Sequence, residues 1–93
     1  MLSKTQKETK TWVTFTFTPS DSAESVSVVG EWNEWVEEPM KQKKSGEFYI
    51  TKVLKTGESF QFGYKVNGNG WFTEEDCAKV PSPFAGDNSL LQL

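Results

Sequence analysis

Phe60-Gln61-Phe62-Gly63-Tyr64-Lys65-Val66-Asn67-Gly68-Asn69-Gly70-Trp71 is the stretch on which the fold turns. Its first seven residues alternate apolar and polar or small without a break, the period of a strand with one face in a core and the other in water. The doubled Asn-Gly that follows asks for backbone with positive φ, as a tight hairpin turn does. The chain should therefore reverse there and set Trp71 across from, or just beyond, the end of that strand, near Lys65.

Working outward, the same signals recur. Val13, Phe15 and Phe17 alternate with Thr14, Thr16 and Thr18, a half-buried strand made of β-favouring residues. Val26, Val28 and Val29 make a short second strand that Gly30 closes, and Phe48, Ile50 and Val53 or Leu54 mark a third. Beyond the hairpin, Glu74-Glu75-Asp76 supports at most one helical turn. An irregular stretch with Pro81 and Pro83 then leads to Leu90, Leu91 and Leu93, read as a closing strand. Turn signals return roughly every 8 to 12 residues with no segment of helical period, which predicts an all-β chain folded as an antiparallel β-sandwich. Residues 1–11 are lysine-rich and polar with no apolar period, so they are expected to form a mobile or loosely attached arm, leaving 12–93 as a single module.

Composition narrows the chemistry. The chain has 93 residues, 35% hydrophobic and 25% charged, enough for one core and no second domain. Thirteen acidic against ten basic side chains give a net charge of -3, and every basic residue is a lysine. Nucleic acid is then an unsuited partner, because its phosphates call for clustered positive charge and favour the arginine fork. The absence of histidine removes Ser-His-Asp and Cys-His nucleophiles and histidine-ligated zinc. The single cysteine, Cys77, has no partner for a disulfide and no neighbouring group to activate it. No apolar run approaches the roughly 20 residues of a membrane helix, and the N-terminal sequence has no signal-peptide apolar region, so the expected compartment is a reducing cytoplasm.

Aromatic content is the conspicuous excess: four Trp, seven Phe and two Tyr. Gly30-Glu31-Trp32-Asn33-Glu34-Trp35 spends two indoles on a turn-like segment. Trp32 comes directly off the valine strand and is expected in the core, while Trp35, among Glu34, Glu37 and Glu38, is expected at the surface. Trp71, between Gly70 and Thr73-Glu74-Glu75, is expected there too. Two exposed indoles suggest a binding platform. A pyranose suits it, since its C–H face packs on a ring and its hydroxyls seek hydrogen bonds at the rim. Lys65, Asn67, Asn69 and Asn88 could supply donors and acceptors, although each is also an ordinary solvated or turn residue. Glycoside hydrolysis needs two carboxylates at a fixed separation in a cleft. Glu31, Glu34, Glu37, Glu38, Glu74, Glu75 and Asp76 all read as exposed turn residues, so no catalytic group and no metal site is assigned. Lys41, Lys43 and Lys44 read as a solvated turn.

Taken in order, Val-Ser-Val-Val-Gly-Glu-Trp-Asn-Glu-Trp at 26–35, Pro-Met at 39–40, Gly-Glu-Phe at 46–48, the Gly57–Gly68 segment, Trp71 and Asp-Asn-Ser-Leu-Leu-Gln-Leu at 87–93 resemble carbohydrate-binding module family 48. That family includes isoamylase early-set domains and the glycogen-binding domain of the AMP-activated kinase β subunit, and small stand-alone bacterial early-set proteins look nearest. The resemblance runs from about residue 12 to the end. It implies an immunoglobulin-like sandwich that binds α-1,4-glucan without cofactor or catalysis. By the resemblance Trp35 and Trp71 flank the glucan chain, Lys65 and Asn88 bond its hydroxyls, and Phe84 matches a bulky apolar loop residue, although the kinase domain has a smaller one. Trp32 stands where the family usually has an inward-packing Phe, and Gly86 replaces a sugar-contacting threonine of the kinase domain. The rival expectation is a module that docks onto another protein, such as a glycogen-metabolising enzyme or a kinase.

Overall fold

The computed structural model describes residues 1–19, 23–68, 70–82 and 86–93. The expectations for Asn69, Pro83 and Phe84 lie outside the described residues. Among the described residues ten strands follow one another: β1 (Leu2–Lys7), β2 (Lys10–Phe17), β3 (Val26–Gly30), β4 (Glu38–Pro39), β5 (Lys41–Gln42), β6 (Phe48–Lys55), β7 (Ser59–Val66), β8 (Gly70–Phe72), β9 (Ala78–Pro81) and β10 (Asp87–Gln92). A single 3-10 turn, Glu31–Asn33, is the one helical piece among the described residues, and Glu74–Asp76 forms no helix.

The strands build two antiparallel sheets, β1-β2-β6-β5 and β4-β3-β7-β10-β9, with β8 paired on β7. This is the β-sandwich that the alternating pattern predicts. Val13 and Phe15 from β2, Val26 and Val28 from β3, Phe62 and Tyr64 from β7 and Leu91 from β10 are all at most 1% exposed and face one another between the sheets. Leu91 and Ser89, rather than Leu90, point inward from the closing strand. Asn67 and Gly68 have φ of 52° and 79°, the left-handed backbone that an Asn-Gly turn supplies at little cost. The Asn67 carboxamide oxygen also accepts from the backbone N–H groups of Glu24 and Ser25, so this oxygen holds the β3 entrance.

Trp32 is half-buried and packs onto the core, in line with its position after β3. Its ring packs on Phe15, Phe60 and Phe62, with centroids 5.4, 6.0 and 5.9 Å away, and closes one end of the sandwich. Gly30 makes room for it, since a Cβ there would stand 2.6 Å from ring atoms of Trp32.

The expected N-terminal arm is corrected. Residues 2–7 form β1, paired with β2 along its whole length from Leu2↔Phe15 to Lys7↔Lys10. Only Leu2 packs on the core, so what fixes the strand is backbone pairing, which leaves no apolar period to read. The Met1 amino group reaches Glu74 Oε1 at 2.6 Å, and the Leu2 N–H donates to Asp76 Oδ2 at 3.2 Å, tying β1 to the turn after β8.

Candidate functional site

The outward face of β7 carries Gln61, Gly63 and Lys65, because Phe62 and Tyr64 are turned into the core. β8 folds back along this strand with Lys65↔Trp71 in register. From there the indole of Trp71 lies over Gly63: a Cβ at residue 63 would stand 2.6 Å from Cε2 and 2.7 Å from Cη2 of the ring. The Trp71 Nε1–H donates to the carbonyl of Asp87 at 2.9 Å. One ring face thus rests on backbone, the N–H is occupied, and the residue remains 38% exposed. What it offers a ligand is its other face.

Asn88 follows Asp87, one residue before Ser89, which pairs with Phe62. It therefore stands at the level of Gly63 and Trp71. Its Nδ2 donates to Gln61 Oε1 at 3.1 Å, and at 7% exposed it is the most enclosed polar group of the patch. Its Oδ1 and the Gln61 amide nitrogen remain as the acceptor and donor that this pair can turn to a ligand.

Trp35 arrives from the other side. Glu34 and Trp35 have φ of 63° and 65°, two consecutive non-glycine residues in left-handed backbone. Such a pair costs about 1 kcal/mol or more per residue and persists only where its surroundings hold it. They do hold it. The Trp35 N–H donates to the Gly30 carbonyl at 2.9 Å, Asn33 Nδ2 donates to the Val36 carbonyl and to Glu38, and the Gln61 N–H donates to Glu31 Oε1 at 2.5 Å. The Lys65 ammonium lies 3.6 Å from Glu37, linking the loop to the floor of the patch. The result is a fixed loop that leaves Trp35 40% exposed, where the sequence placed it.

Trp71, Lys65 and Asn88 are thus brought together, and the Trp35 loop is tied to Lys65. Phe84 lies outside the described residues. Gly63 and Gln61 carry no assigned role in the sequence, although the alternation that puts Lys65 on the wet face puts them there as well.

The reading of every carboxylate as an exposed turn residue fails at Glu74, which is 3% exposed. Its Oε1 accepts from the Tyr64 hydroxyl at 2.7 Å and its N–H donates to Ser89 Oγ at 2.7 Å. Burial, and then the hydrogen bond to the Glu74 carboxylate, push the Tyr64 hydroxyl far above its ordinary range. Glu74 borders a cleft of about 450 Å³ that Met1, Phe17, Tyr64 and Phe72 also line, and none of Trp35, Lys65, Trp71 or Asn88 does. Cys77 is half-buried against the core, and burial followed by the charge of Glu74 raises its thiol above the ordinary value. Among the described residues no cluster of acidic, cysteine or histidine side chains could hold a metal ion, and no helix is long and apolar enough to cross a membrane.

Compared with known proteins, the chain matches no family model and no curated sequence.

Proposed function

We propose that the chain is a non-catalytic α-glucan-binding module of the immunoglobulin-like, early-set kind, similar to carbohydrate-binding module family 48. The observation that carries the reading is the indole of Trp71, seated on Gly63, pinned at its nitrogen and open on one face beside Lys65 and Asn88. A ring already held in place loses little freedom when a sugar packs on it. Trp35, on its clamped loop, supplies a second apolar surface. Lys65 and the Asn88–Gln61 pair supply hydrogen bonds to equatorial hydroxyls. Pyranose hydroxyls must give up water to bind such an open surface, so the affinity falls on the order of 10 μM to 1 mM.

The test is a titration of tryptophan fluorescence with β-cyclodextrin and maltoheptaose, with cellohexaose as the linkage control. Saturation by the α-linked sugars alone supports the proposal. Trp35→Ala and Trp71→Ala should each weaken that binding at least about tenfold with the melting transition retained. No response to any of the three up to about 10 mM overturns it.

A further inference from the structure

The outward face of the β1-β2-β6-β5 sheet has no part in the proposed glucan site, and its residues fall into ordered rows. Strand register sets Lys7 beside Lys10 and Lys10 beside Lys55. The next row is Thr5, Trp12 and Val53, and the one after it Ser3, Thr14 and Thr51, with the two threonine hydroxyls 2.9 Å apart. Thr16, Tyr49 and Lys41 complete the face, and the Lys43 ammonium sits 5.4 Å from the Tyr49 ring centre.

Two features of these rows need a cause. The first is charge. Neighbouring strands lie about 4.8 Å apart, so three lysines in one row repel across roughly 10 Å, and like charges directly opposite weaken a sheet. A lysine on β1 guards an open edge, but Lys10 sits on β2, which has a neighbour on each side. Among the described residues, no carboxylate lies within ion-pair distance of Lys7, Lys10 or Lys41, and Lys55 has only Glu58 at 4.0 Å, both exposed. In a chain with thirteen acidic residues, none stands in any of these rows. The second feature is apolar. Trp12 and Val53, opposite one another, are 38% and 47% exposed in the middle of the face.

From this we infer that the face docks an acidic protein segment, which places apolar side chains on Trp12 and Val53 and carboxylates along Lys7, Lys10 and Lys55. An aromatic centre rimmed by charge is the common anatomy of a protein interface. A second copy set face to face would oppose lysines to lysines. Anionic lipid fits less well, because Trp12 sits within β2, paired to a strand on each side, and not on a loop that could carry it into a bilayer. The inference is independent of glucan binding, which uses the opposite sheet.

The experiment records amide shifts of the isotope-labelled chain against a twelve-residue peptide alternating Glu and Leu, with the Lys-Leu peptide as control. Saturable shifts at Lys7, Lys10, Trp12, Val53 and Lys55 are expected below about 1 mM Glu-Leu peptide, weakened at least fivefold when ionic strength rises from about 0.05 to 0.5 M. In Lys10→Glu/Lys55→Glu the same shifts should need at least tenfold more peptide, with the melting transition retained. Should that double variant fail to fold, Trp12→Ala is the substitute, with the same tenfold loss expected. Absence of shifts, shifts confined to other residues, or equal response to the Lys-Leu peptide overturns the inference. So does co-sedimentation with phosphatidylserine vesicles in place of peptide binding, or a dimer mass from light scattering without peptide.

Discussion

The indole of Trp71 uses Gly63 as its seat: the ring occupies the space in which any side chain at residue 63 would begin. A glycine inside a strand ordinarily weakens it, and here it lets an aromatic ring lie against the backbone of a sheet. Gly63→Ala adds one methyl on the outward face, away from Phe62 and Tyr64. The methyl must push the ring off the strand and break its hydrogen bond to the Asp87 carbonyl. Binding of maltoheptaose should fall at least about tenfold, while the urea midpoint moves little. Fluorescence titration and denaturation together check this, and undiminished binding would mean the seated ring is not the platform.

The two tryptophans of the Glu31–Trp35 segment should separate in stability. Trp32 packs against three phenylalanine rings, and Trp32→Ala opens a void at the end of the core that costs about 3 kcal/mol or more. Trp35 is exposed at the surface, and Trp35→Ala should change stability by less than about 1 kcal/mol. Urea denaturation of both variants measures the difference, and similar losses would move Trp35 into the core.

How far these roles could be read in advance depends on how each residue is held. β2, β3, β6 and β7 were legible because their apolar residues alternate or cluster against a common core, and Trp71 beside Lys65 followed from the Asn-Gly turn. β1 was not legible: Lys4, Thr5, Gln6 and Lys7 carry no apolar signal, and the strand exists because β2 offers a free edge. Gly63 could be placed on the wet face but not given a use, since its role depends on where a ring eight residues later comes to rest. Glu74 sits in a Glu-Glu-Asp run that reads as solvated, and only the tertiary contact with the Tyr64 hydroxyl reveals it as buried.

The burial of Tyr64, and then that contact, make stability depend on alkaline pH. The folded chain holds the Tyr64 hydroxyl protonated far above its unfolded value of about 10. A group whose folded pKa is raised contributes stability that is present below the unfolded pKa and lost as pH climbs beyond it. The urea midpoint should therefore decline above about pH 10. Tyr64→Phe removes that part of the decline but leaves Glu74 short of one donor, at a cost of about 1–3 kcal/mol near neutrality. Midpoints for both chains from neutral to alkaline pH give the comparison, and parallel curves would contradict it.

The strand that the sequence concealed offers the last test. β1 pairs with six consecutive residues of β2, and the nitrogens of Met1, just before it, and of Leu2 reach Glu74 and Asp76. Deleting residues 1–8 leaves the Lys10–Phe17 edge of β2 open, a threonine- and phenylalanine-rich strand of the kind that pairs with other chains. It also strips the buried Glu74 carboxylate of its cation. At about 1 kcal/mol net per lost hydrogen bond, the shortened chain should be at least about 3 kcal/mol less stable and should self-associate as its concentration rises. Urea denaturation and light scattering read the two effects. In the full chain, the backbone amides of Leu2–Lys7 that bond to β2 should exchange slowly with solvent, as an unpaired arm's would not. An unchanged midpoint with a monomeric mass would mean that β2 needs no partner on that edge, and that β1 rests on the sandwich without supporting it.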